Sequence, residues 1–443
     1  MVLEQMNPNI TPLESWIAHK IGCQDGQLTR DALEVHQLEK LRETLRLVRL
    51  KSRFYQKRLD DAPHYVSSLR DLTQFPFTTA QDIREQGLQF LCVSQDEIQR
   101  VVTLDTSGTT GQPKRLYFTQ EDQELTIDFF HIGMSTFTEP DDKVLILLPC
   151  ERIGSVGDLL AVALQRLGAH PIKHGVVRDI SETLAVMSEE RVDCLVGIPT
   201  QVLALARYSE RLKLKSGLLT TDHVPNAIAT AVEHAWGSRV YNHYGMTEMG
   251  LGGGVECRAR RGYHLREADM YFEIIHPITG EPVADGEMGE VVFTTLTRRG
   301  MPLIRYRTGD ISRFLPGECP CGTTLKTLER VKSRVSGCVA VGDQWHLTMA
   351  DLDEALFSIA GVLDFTAAIS REGTQNRLRL EVRVVERAND NIAGAIDAAL
   401  ESIPAVKFAR TSHQLEVVVA MQNTRSVVAR PIKRTIMDRR TGA

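Results

Sequence analysis

A segment rich in hydroxyls and glycines carries the strongest chemical signal in the sequence. It reads T-S-G-T-T-G-Q-P-K over residues 106–114, between two β-type runs at 100–104 and 115–118. Gly108 and Gly111 lack the Cβ atoms that would keep a backbone away from a bulky anion. The hydroxyls, the backbone amides and Lys114 supply hydrogen-bond donors and positive charge for phosphate oxygens. The spacing is not that of the common phosphate loop, G-x-x-x-x-G-K-[ST]. The residues predicted to hold phosphate are Thr106, Ser107, Gly108, Thr109, Thr110, Gly111 and Lys114.

A second segment, Y-G-M-T-E at residues 244–248, follows a predicted strand that ends near Asn242. Ligands of open α/β sheets bind at the carboxyl ends of the strands, which is where this segment would lie. Thr247 and Glu248 offer hard oxygen atoms, the ligands that Mg²⁺ prefers. On the pentapeptide alone, a plain turn at a strand end remains the alternative.

A third segment, Y-R-T-G-D at residues 306–310, follows another β-type run and ends in Asp310. A carboxylate can accept one hydrogen bond from each of two neighbouring hydroxyls, as a ribose offers them. Asp310 is therefore a candidate nucleotide ligand, with a β-turn aspartate as the alternative interpretation.

Three cysteines and a histidine form a separate candidate site. The sequence C-P-C-G from Cys319 to Gly322 predicts a sharp turn that would present the thiolates of Cys319 and Cys321 to one ion. Cys257 and His264, in a C-x₆-H arrangement, supply two more ligands and complete the tetrahedral set of structural zinc. The C-x-C spacing is tighter than the usual zinc spacing. Reduced, buried cysteines therefore remain the alternative.

The elements that must position these residues change character along the chain. Apolar residues at three- and four-residue spacing predict a helix within 29–61. From Lys143 to Asn242 short apolar runs alternate with helical patterns, which predicts parallel βαβ units covered by helices on both faces. The expected strands are 144–148, 194–198 and 239–242, and the expected helices are 157–167, 200–207 and 225–236. After Gly252 turn residues separate β-type runs, at 271–275, 290–296 and 311–315.

Beyond about Lys332 the pattern changes again. We expect a helix at 349–359, strands at 363–369 and 377–385, a helix at 392–403 and a strand at 415–420. The predicted fold class is α/β. A large N-terminal domain, residues 1–332, has mainly parallel sheets covered by helices plus a β-rich portion, and residues 333–443 form a small α+β domain.

Composition and charge exclude several classes of protein. The 443 residues include 52 basic and 57 acidic side chains, so no basic excess exists to neutralise a nucleic acid, and we expect no such partner. No apolar run approaches the roughly 20 residues that span a bilayer, so we expect no membrane partner. The first residues lack the pattern of a secretory signal, and eight cysteines are sparse for this length. We therefore expect a cytoplasmic protein.

Taken together and in this order, the three segments resemble the adenylate-forming superfamily of acyl-CoA synthetases, which join ATP to a carboxylate. Within it the chain is similar to the phenylacetate–CoA ligase branch, and the likeness covers most of its length. Further matching segments are F-P-F-T-T at 75–79, F-T-T-L-T at 293–297 and M-P-L-I-R-Y-R at 301–307.

The resemblance implies a role for each matching residue. The loop at 106–114 would hold the phosphates of ATP, and Thr247 and Glu248 would serve Mg²⁺ and the nucleotide. Asp310 and Arg334 are implied to lie at the ribose, and Tyr244 and Gly245, also counted among the cofactor-binding residues, would border the pocket for the carboxylate. Some members of the branch carry a structural metal at the position of the cysteine cluster, which implies Zn²⁺ in this chain.

Two departures from the family concern the C-terminal part. The family rotates its small domain about the junction of its two domains, which implies that residues 333–443 form a mobile domain. At that junction the branch reads R-x-x-G-R-x-D-D, where this chain reads R-V-K-S-R-V-S-G at 330–337. Because the glycine-rich loop that follows is altered too, the case for coenzyme A is weaker. Near the C-terminus the family places a catalytic lysine that meets the α-phosphate. Lys433 is the candidate, with Pro431 at the aligned position and a plain basic tail as alternatives.

The leading hypothesis is a ligase that activates a carboxylic acid with ATP to an acyl-adenylate and transfers it to coenzyme A, releasing AMP and pyrophosphate. A second hypothesis keeps the adenylation and passes the acyl group to an amine or a carrier-protein thiol. A third is a nucleotide-binding paralogue without catalysis. The expected cofactors are ATP, Mg²⁺, coenzyme A and structural Zn²⁺. The expected partner is a small carboxylic acid, and assembly as a homodimer is kept open.

Overall fold

The computed structural model describes residues 10–23, 26–104, 113–209, 212–373, 375–386, 391–424 and 433–440. The chain divides into two compact units. The first unit comprises Met1–Glu139, Arg152–Gly168 and His243–Val331, and the second comprises Pro140–Glu151, Ala169–Asn242 and Lys332–Ala443. Each unit has its own hydrophobic core.

Helices occur in both units. In the described ranges they are α1 Pro12–Lys20, α2 Arg30–Lys51, α3 Arg53–Arg58, α4 Ala80–Gln86, α5 Gln120–Met134, α6 Val156–Leu167, α7 Ile180–Glu189, α8 Pro199–Tyr208, α9 Asn226–Trp236, α10 Met349–Phe357, α11 Ile392–Glu401 and α12 Pro404–Thr411. The helix predicted within 29–61 is divided at Ser52, whose hydroxyl caps α3 by accepting a hydrogen bond from the Tyr55 amide. No helix of the described ranges combines the length and apolarity that a membrane span requires.

The strands follow the same chain order. They are β1 Ile98–Leu104, β2 Lys114–Thr119, β3 Lys143–Leu147, β4 His170–Lys173, β5 Cys194–Gly197, β6 Ser216–Leu219, β7 Arg239–Tyr244, β8 Gly254–Glu256, β9 Tyr263–Leu265, β10 Met270–Ile275, β11 Gly289–Thr295, β12 Tyr306–Ser312, β13 Thr327–Leu328, β14 Ser333–Arg334, β15 Cys338–Ala340, β16 His346–Thr348, β17 Val362–Glu372, β18 Gln375–Val384, β19 Leu415–Asn423 and β20 Ile436–Asp438.

The second unit contains the parallel sheet that the sequence predicts. Its strands lie in the order β4-β3-β5-β6-β7, and each runs parallel to its neighbour. Strands β3 and β5 are buried almost throughout, which explains why they appear in the sequence as continuous apolar runs. The strand–helix alternation therefore identified this part of the fold correctly.

The C-terminal part of the second unit is a four-stranded sheet in the order β19-β18-β17-β20 with helices α10, α11 and α12. Helix α12 and strand β20 extend the predicted α-β-β-α-β order. Both are short, and a pattern of eight or three residues is too brief to identify an element from its period. Apolar residues of this sheet, such as Leu380, share one core with Leu219 and Trp236. The division at residues 332 and 333 stays a prediction.

The first unit holds the predicted β-rich portion. The last two residues of β7 pair antiparallel with β8, which pairs with β9, and β9 pairs with β13. Strands β10, β11 and β12 form an antiparallel group, and β11 is buried along its whole length. Strands β1 and β2 form a hairpin.

One expectation about this portion was wrong. The last strand was predicted at 311–315 and instead covers Tyr306–Ser312, so the segment Y-R-T-G-D lies within a strand and not after one. The polar residues of the segment Y-R-T-G-D do not indicate a strand. Pairing with β11 holds it, with Tyr306 opposite Phe293 and Arg307 ion-paired to Glu290.

Candidate active site

The hydroxyl- and glycine-rich segment connects the two strands of a hairpin. Six of its predicted phosphate ligands, Thr106, Ser107, Gly108, Thr109, Thr110 and Gly111, lie outside the described residues. Its flanks are described, because Leu104 at the end of β1 is the antiparallel partner of Lys114 at the start of β2. The hairpin therefore pairs the residues on either side of the segment, and Lys114 is the first residue of β2.

The segment at 244–248 forms a tight turn at the end of β7. Residues Thr247–Met249 make one turn of 3-10 helix, closed by a hydrogen bond from the Met249 amide to the Met246 carbonyl at 3.0 Å. Gly245 is required there, because a Cβ atom at this position would lie 2.2 Å from the carbonyl oxygen of Leu251. The chain thus folds back on itself and turns Glu248 into the interior.

Glu248 is the charged centre of this turn. Its side chain is only 5% exposed and forms an ion pair with Lys114, while the Tyr306 hydroxyl donates a 2.8 Å hydrogen bond to the same carboxylate oxygen. Burial alone would raise the pKa of Glu248, but the charge and hydrogen bond of Lys114 and the hydrogen bond of Tyr306 outweigh it. The pKa therefore lies below its usual value. A buried carboxylate that stays ionised is the result.

Asp310 is brought into position by a β-bulge. Between Arg307 opposite Val292 and Ile311 opposite Glu290, the register of β12 shifts, so three residues of β12 face one residue of β11. Gly309 takes a φ of 74° in this bulge, in the left-handed region that glycine adopts at low cost. The Asp310 carboxylate is buried and accepts a 3.0 Å hydrogen bond from the Tyr244 hydroxyl.

The structure thus joins the three sequence segments within the first unit. Lys114 and Glu248 form an ion pair, and Tyr244 is hydrogen-bonded to Asp310. Thr247 is half-buried beside Glu248 in the same turn. No role was predicted for the Tyr306 hydroxyl from the sequence. Its position at the head of Y-R-T-G-D was the available signal.

Arg334 and Lys433 belong to the second unit. Arg334 is half-buried in the short strand β14, and its carbonyl accepts a 2.9 Å hydrogen bond from the Gly337 amide, so the altered junction forms a turn. Lys433 is exposed. The next residue, Arg434, is half-buried, and its guanidinium is paired to Asp353 and Asp364. Arg434 therefore serves the core of its own unit.

The cysteine–histidine set converges in the first unit. Cys257 follows β8, His264 lies on the neighbouring strand β9, and Cys319 and Cys321 flank a turn. All four side chains are buried, and their ligand atoms lie within 4.8 Å of one another. The Cys257 and Cys319 sulfurs are 3.7 Å apart, and the Cys321 sulfur is 3.5 Å from His264 Nε2.

These distances test whether the residues fit a zinc ion. Tetrahedral zinc with bonds of about 2.3 Å to sulfur and about 2.0 Å to nitrogen requires S···S near ~3.8 Å and S···N near ~3.5 Å. The observed separations agree with both. The other ring nitrogen of His264 lies 3.4 Å from the Lys326 carbonyl, the kind of contact that orients a metal-ligating histidine. The hydrogen bond to Cys257 lowers the pKa of Cys321, which favours a thiolate.

Comparisons with known proteins identify the family of the chain. Residues 30–296 match the family model described as AMP-binding enzyme. A phenylacetate–coenzyme A ligase from Pseudomonas putida is 31% identical over 304 residues, which is 65% of this chain and 68% of that protein. The enzyme of the same name from Thermus thermophilus is 27% identical over 376 residues, 81% of this chain and 83% of that protein.

Two solved structures show the fold. A 2-hydroxyisobutyryl-CoA ligase in its postadenylation state superposes with a TM-score of 0.77 at 20% identity, covering 99% of this chain and 94% of that one. An amide bond synthetase from Marinactinospora thermotolerans has a TM-score of 0.52 at 15% identity, covering 76% of this chain and 68% of that one.

Proposed function

The chain belongs to the AMP-binding enzyme family, in the branch of the phenylacetate–coenzyme A ligases. From that premise we propose that it activates a small carboxylic acid with ATP and transfers the acyl group to coenzyme A. The observation that carries the proposal is the buried, ionised Glu248, held by Lys114 and Tyr306 next to the hairpin that leads into the hydroxyl-rich loop. AMP and pyrophosphate are the other products.

The first half-reaction places negative charge on phosphate. A carboxylate oxygen of the acid attacks the α-phosphorus of ATP, and the bond to the pyrophosphate oxygen breaks. Preorganised donors and cations stabilise the charge that accumulates on the phosphate oxygens. Lys114, at the end of the loop and only 12% exposed, is one such cation. The acyl-adenylate then has AMP as its leaving group.

Glu248 and Thr247 fit a magnesium ion. The donor set is an ionised carboxylate with a neighbouring hydroxyl, both hard oxygen ligands. When bound, Mg²⁺ would neutralise charge on the phosphates. In the structure Lys114 compensates the buried charge of Glu248, so the carboxylate is already desolvated and ionised before ligand binds. Lys114 can then exchange Glu248 for a phosphate oxygen without a change in its own charge.

Asp310 is proposed to bind the ribose. Its carboxylate has two oxygens, and the Tyr244 hydroxyl holds one of them at 3.0 Å. The β-bulge at Gly309 sets its direction. Arg334 on the ribose side and Lys433 at the α-phosphate remain family-based assignments. Exposure of Lys433 is consistent with a residue that meets a ligand.

The acceptor of the acyl group is the second part of the proposal. The relatives named phenylacetate–coenzyme A ligase favour coenzyme A. Transfer to an amine or to a carrier-protein thiol is the second candidate, favoured by S-G at 336–337 in place of two acidic residues. The fold does not choose between acceptors, because an amide bond synthetase also has it.

A structural zinc ion is proposed for Cys257, His264, Cys319 and Cys321. The support is the agreement of the Cys257–Cys319 and Cys321–His264 separations with tetrahedral coordination and the burial of all four side chains, which is typical of closed structural sites. The ion would link the β8–β9 hairpin to the turn at 319–321 and has no part in the reaction.

One experiment tests the function directly. Pyrophosphate release is measured over a panel of carboxylic acids, with and without coenzyme A. We expect release that depends on one class of acid, with an acyl-CoA product when coenzyme A is present. Release without any acyl-CoA would favour the second acceptor class, and no release for any acid would contradict the proposed function.

A further inference from the structure

Arg298 lies directly behind the candidate magnesium site. Its side chain is buried, and one guanidinium nitrogen donates a 2.7 Å hydrogen bond to the backbone carbonyl of Glu248. The other donates a longer bond, 3.4 Å, to the carbonyl of Tyr117 on β2, the strand that begins at Lys114. The guanidinium carbon is 4.4 Å from the centroid of the Phe118 ring, a cation–π distance. One side chain therefore contacts both segments that supply the Lys114–Glu248 pair.

The backbone around Arg298 is itself held in place. The Thr297 hydroxyl donates a 2.9 Å hydrogen bond to Asp269. The amides of Arg299 and Gly300 donate to the two oxygens of Asp122 at 2.9 Å and 3.0 Å. Asp122 also accepts the amide of Thr119, the last residue of β2, in a capping box at the start of α5. The loop that carries Arg298 is thus fastened to β2 as well.

We propose that Arg298 is a positioning residue for magnesium-dependent nucleotide binding. It fixes the turn of Glu248 relative to strand β2, so that Glu248 would bind Mg²⁺ while Lys114 binds a phosphate of the same nucleotide. The role rests on the proposed function, because it concerns the same site. Arg298 acts through Glu248 and does not itself contact the ligand.

Burial of the Arg298 guanidinium has a large free-energy cost. Moving a charge out of water is costly unless hydrogen bonds and opposite charges compensate it. The compensation for Arg298 comes from two backbone carbonyls, the Phe118 ring and the nearby charges of Asp122 and Glu248. The guanidinium brings hydrogen-bond donors to the carbonyls of both segments at once, which a neutral apolar side chain cannot do.

The test compares three variants of the full chain. Arg298→Met removes the hydrogen bonds and keeps the apolar stem, and Arg298→Lys keeps the charge and one donor. Arg299→Met is the matched control, because Arg299 is the next residue and its side chain is 71% exposed, with a 3.6 Å ion pair to the equally exposed Glu121. The measurements are the Mg²⁺ concentration for half-maximal pyrophosphate release, and the shift in melting temperature that ATP causes with and without Mg²⁺.

We expect Arg298→Met to raise the half-maximal Mg²⁺ concentration about tenfold or more, the usual cost of losing an outer partner of a metal ligand. Arg298→Lys should recover part of the loss, and Arg299→Met should match the wild type. A folded Arg298→Met with unchanged Mg²⁺ dependence would overturn the proposal. If that variant does not fold, wild-type Mg²⁺ dependence in Arg298→Lys would overturn it.

The same experiment separates this inference from the function it rests on. Wild-type protein that releases no pyrophosphate with any acid would contradict the proposed function. The Mg²⁺-dependent thermal shift with ATP needs no acid, and it would still decide the role of Arg298. A wild-type-like shift in Arg298→Met would then count against the positioning role.

Discussion

Glu248 keeps its charge in the interior because two side chains contact the same carboxylate oxygen. Lys114 supplies the opposite charge, and the Tyr306 hydroxyl supplies a hydrogen bond at 2.8 Å. A hydrogen bond to an ionised acceptor is stronger than one between neutral groups, and it lowers the pKa of the acid. The state of this carboxylate therefore depends on residues from three separate segments of the chain.

The first prediction concerns that hydrogen bond. Tyr306→Phe removes the hydroxyl and leaves the ring, so the pKa of Glu248 should rise and the acidic limb of the pH–rate profile should move to higher pH. The rate of pyrophosphate release at neutral pH should fall about tenfold, as for loss of one bond to a charged group. Tyr271→Phe, on β10, is the control and should keep the wild-type profile. An unmoved acidic limb in Tyr306→Phe would count against the assigned contact.

The second prediction concerns the cysteine cluster. Purified protein should contain about one equivalent of zinc, as a four-ligand structural site does. Cys319→Ser should reduce zinc content and melting temperature together, because metal binding contributes to folding there. The control is Cys338→Ser, which alters an exposed thiol. Metal analysis that finds no zinc in a wild-type protein of full stability would show that these are ordinary buried thiols.

At the scale of elements, turns and a β-bulge position the site. Turns and bulges are harder to predict from the sequence than helices and strands are. The strands β3, β5 and β11 were predicted from their apolar runs, because burial on both faces leaves a continuous signal. The β-bulge in β12 left no such signal. Its shift depends on cross-strand pairing with β11, and the letters R-T-G-D resemble a turn.

The third prediction tests the bulge. Gly309→Ala forces an alanine to a φ of 74°, which costs about 1–2 kcal/mol, and it should also disturb the direction of Asp310. Gly317→Ala is the matched control, because Gly317 has the same φ of 74° and a Cβ there would meet open space. Both variants should lose similar stability in thermal unfolding. Only Gly309→Ala should weaken ATP binding several-fold, and equal ATP affinity in the two would contradict the role of the bulge.

At the scale of the whole molecule, each of the two units has a hydrophobic core formed by segments that lie far apart in the sequence. The sequence anticipated the parallel sheet and most of the C-terminal elements from their period. It did not reveal that apolar residues of the C-terminal sheet share a core with α8 and α9, since that contact joins distant parts of the chain. The contacts of Tyr306 and Arg298 were missed for the same reason. Their partner Glu248 is 58 and 50 positions away, and no local pattern encodes such a pair.

The fourth prediction concerns stability of the second unit. Burial, helped by the neighbouring charge of Asp222, raises the pKa of Asp353 to about 7 despite the opposing charge of Arg434. Between about pH 4 and pH 7, the folded state therefore keeps a proton on Asp353 that the unfolded state has released. Stability from this group is present at low pH and is lost as pH rises to about 7, by at most about 1.4 kcal/mol per pH unit.

Asp353→Asn tests this dependence. The amide oxygen can still accept the hydrogen bond of Arg434, and it does not titrate. Urea unfolding between pH 4.5 and 8 should show a weaker decline of stability with rising pH than in the wild type. Asp397→Asn, which removes an exposed carboxylate paired with Arg410, is the control. Identical slopes in Asp353→Asn and wild type would contradict the assignment.

We propose that Glu248 serves the adenylation step as the ionised ligand of the magnesium–nucleotide complex. The most direct test is exchange of labelled pyrophosphate into ATP, driven by the preferred acid, in wild type and in Glu248→Gln. The substitution keeps the shape and the acceptor for Tyr306 and removes only the charge. We predict a folded variant whose exchange rate is lower by at least about 10²-fold, the scale of one preorganised electrostatic partner. The control Glu124→Gln, on an exposed ion pair with Arg166, should exchange normally. A folded Glu248→Gln that exchanges at the wild-type rate would contradict the account.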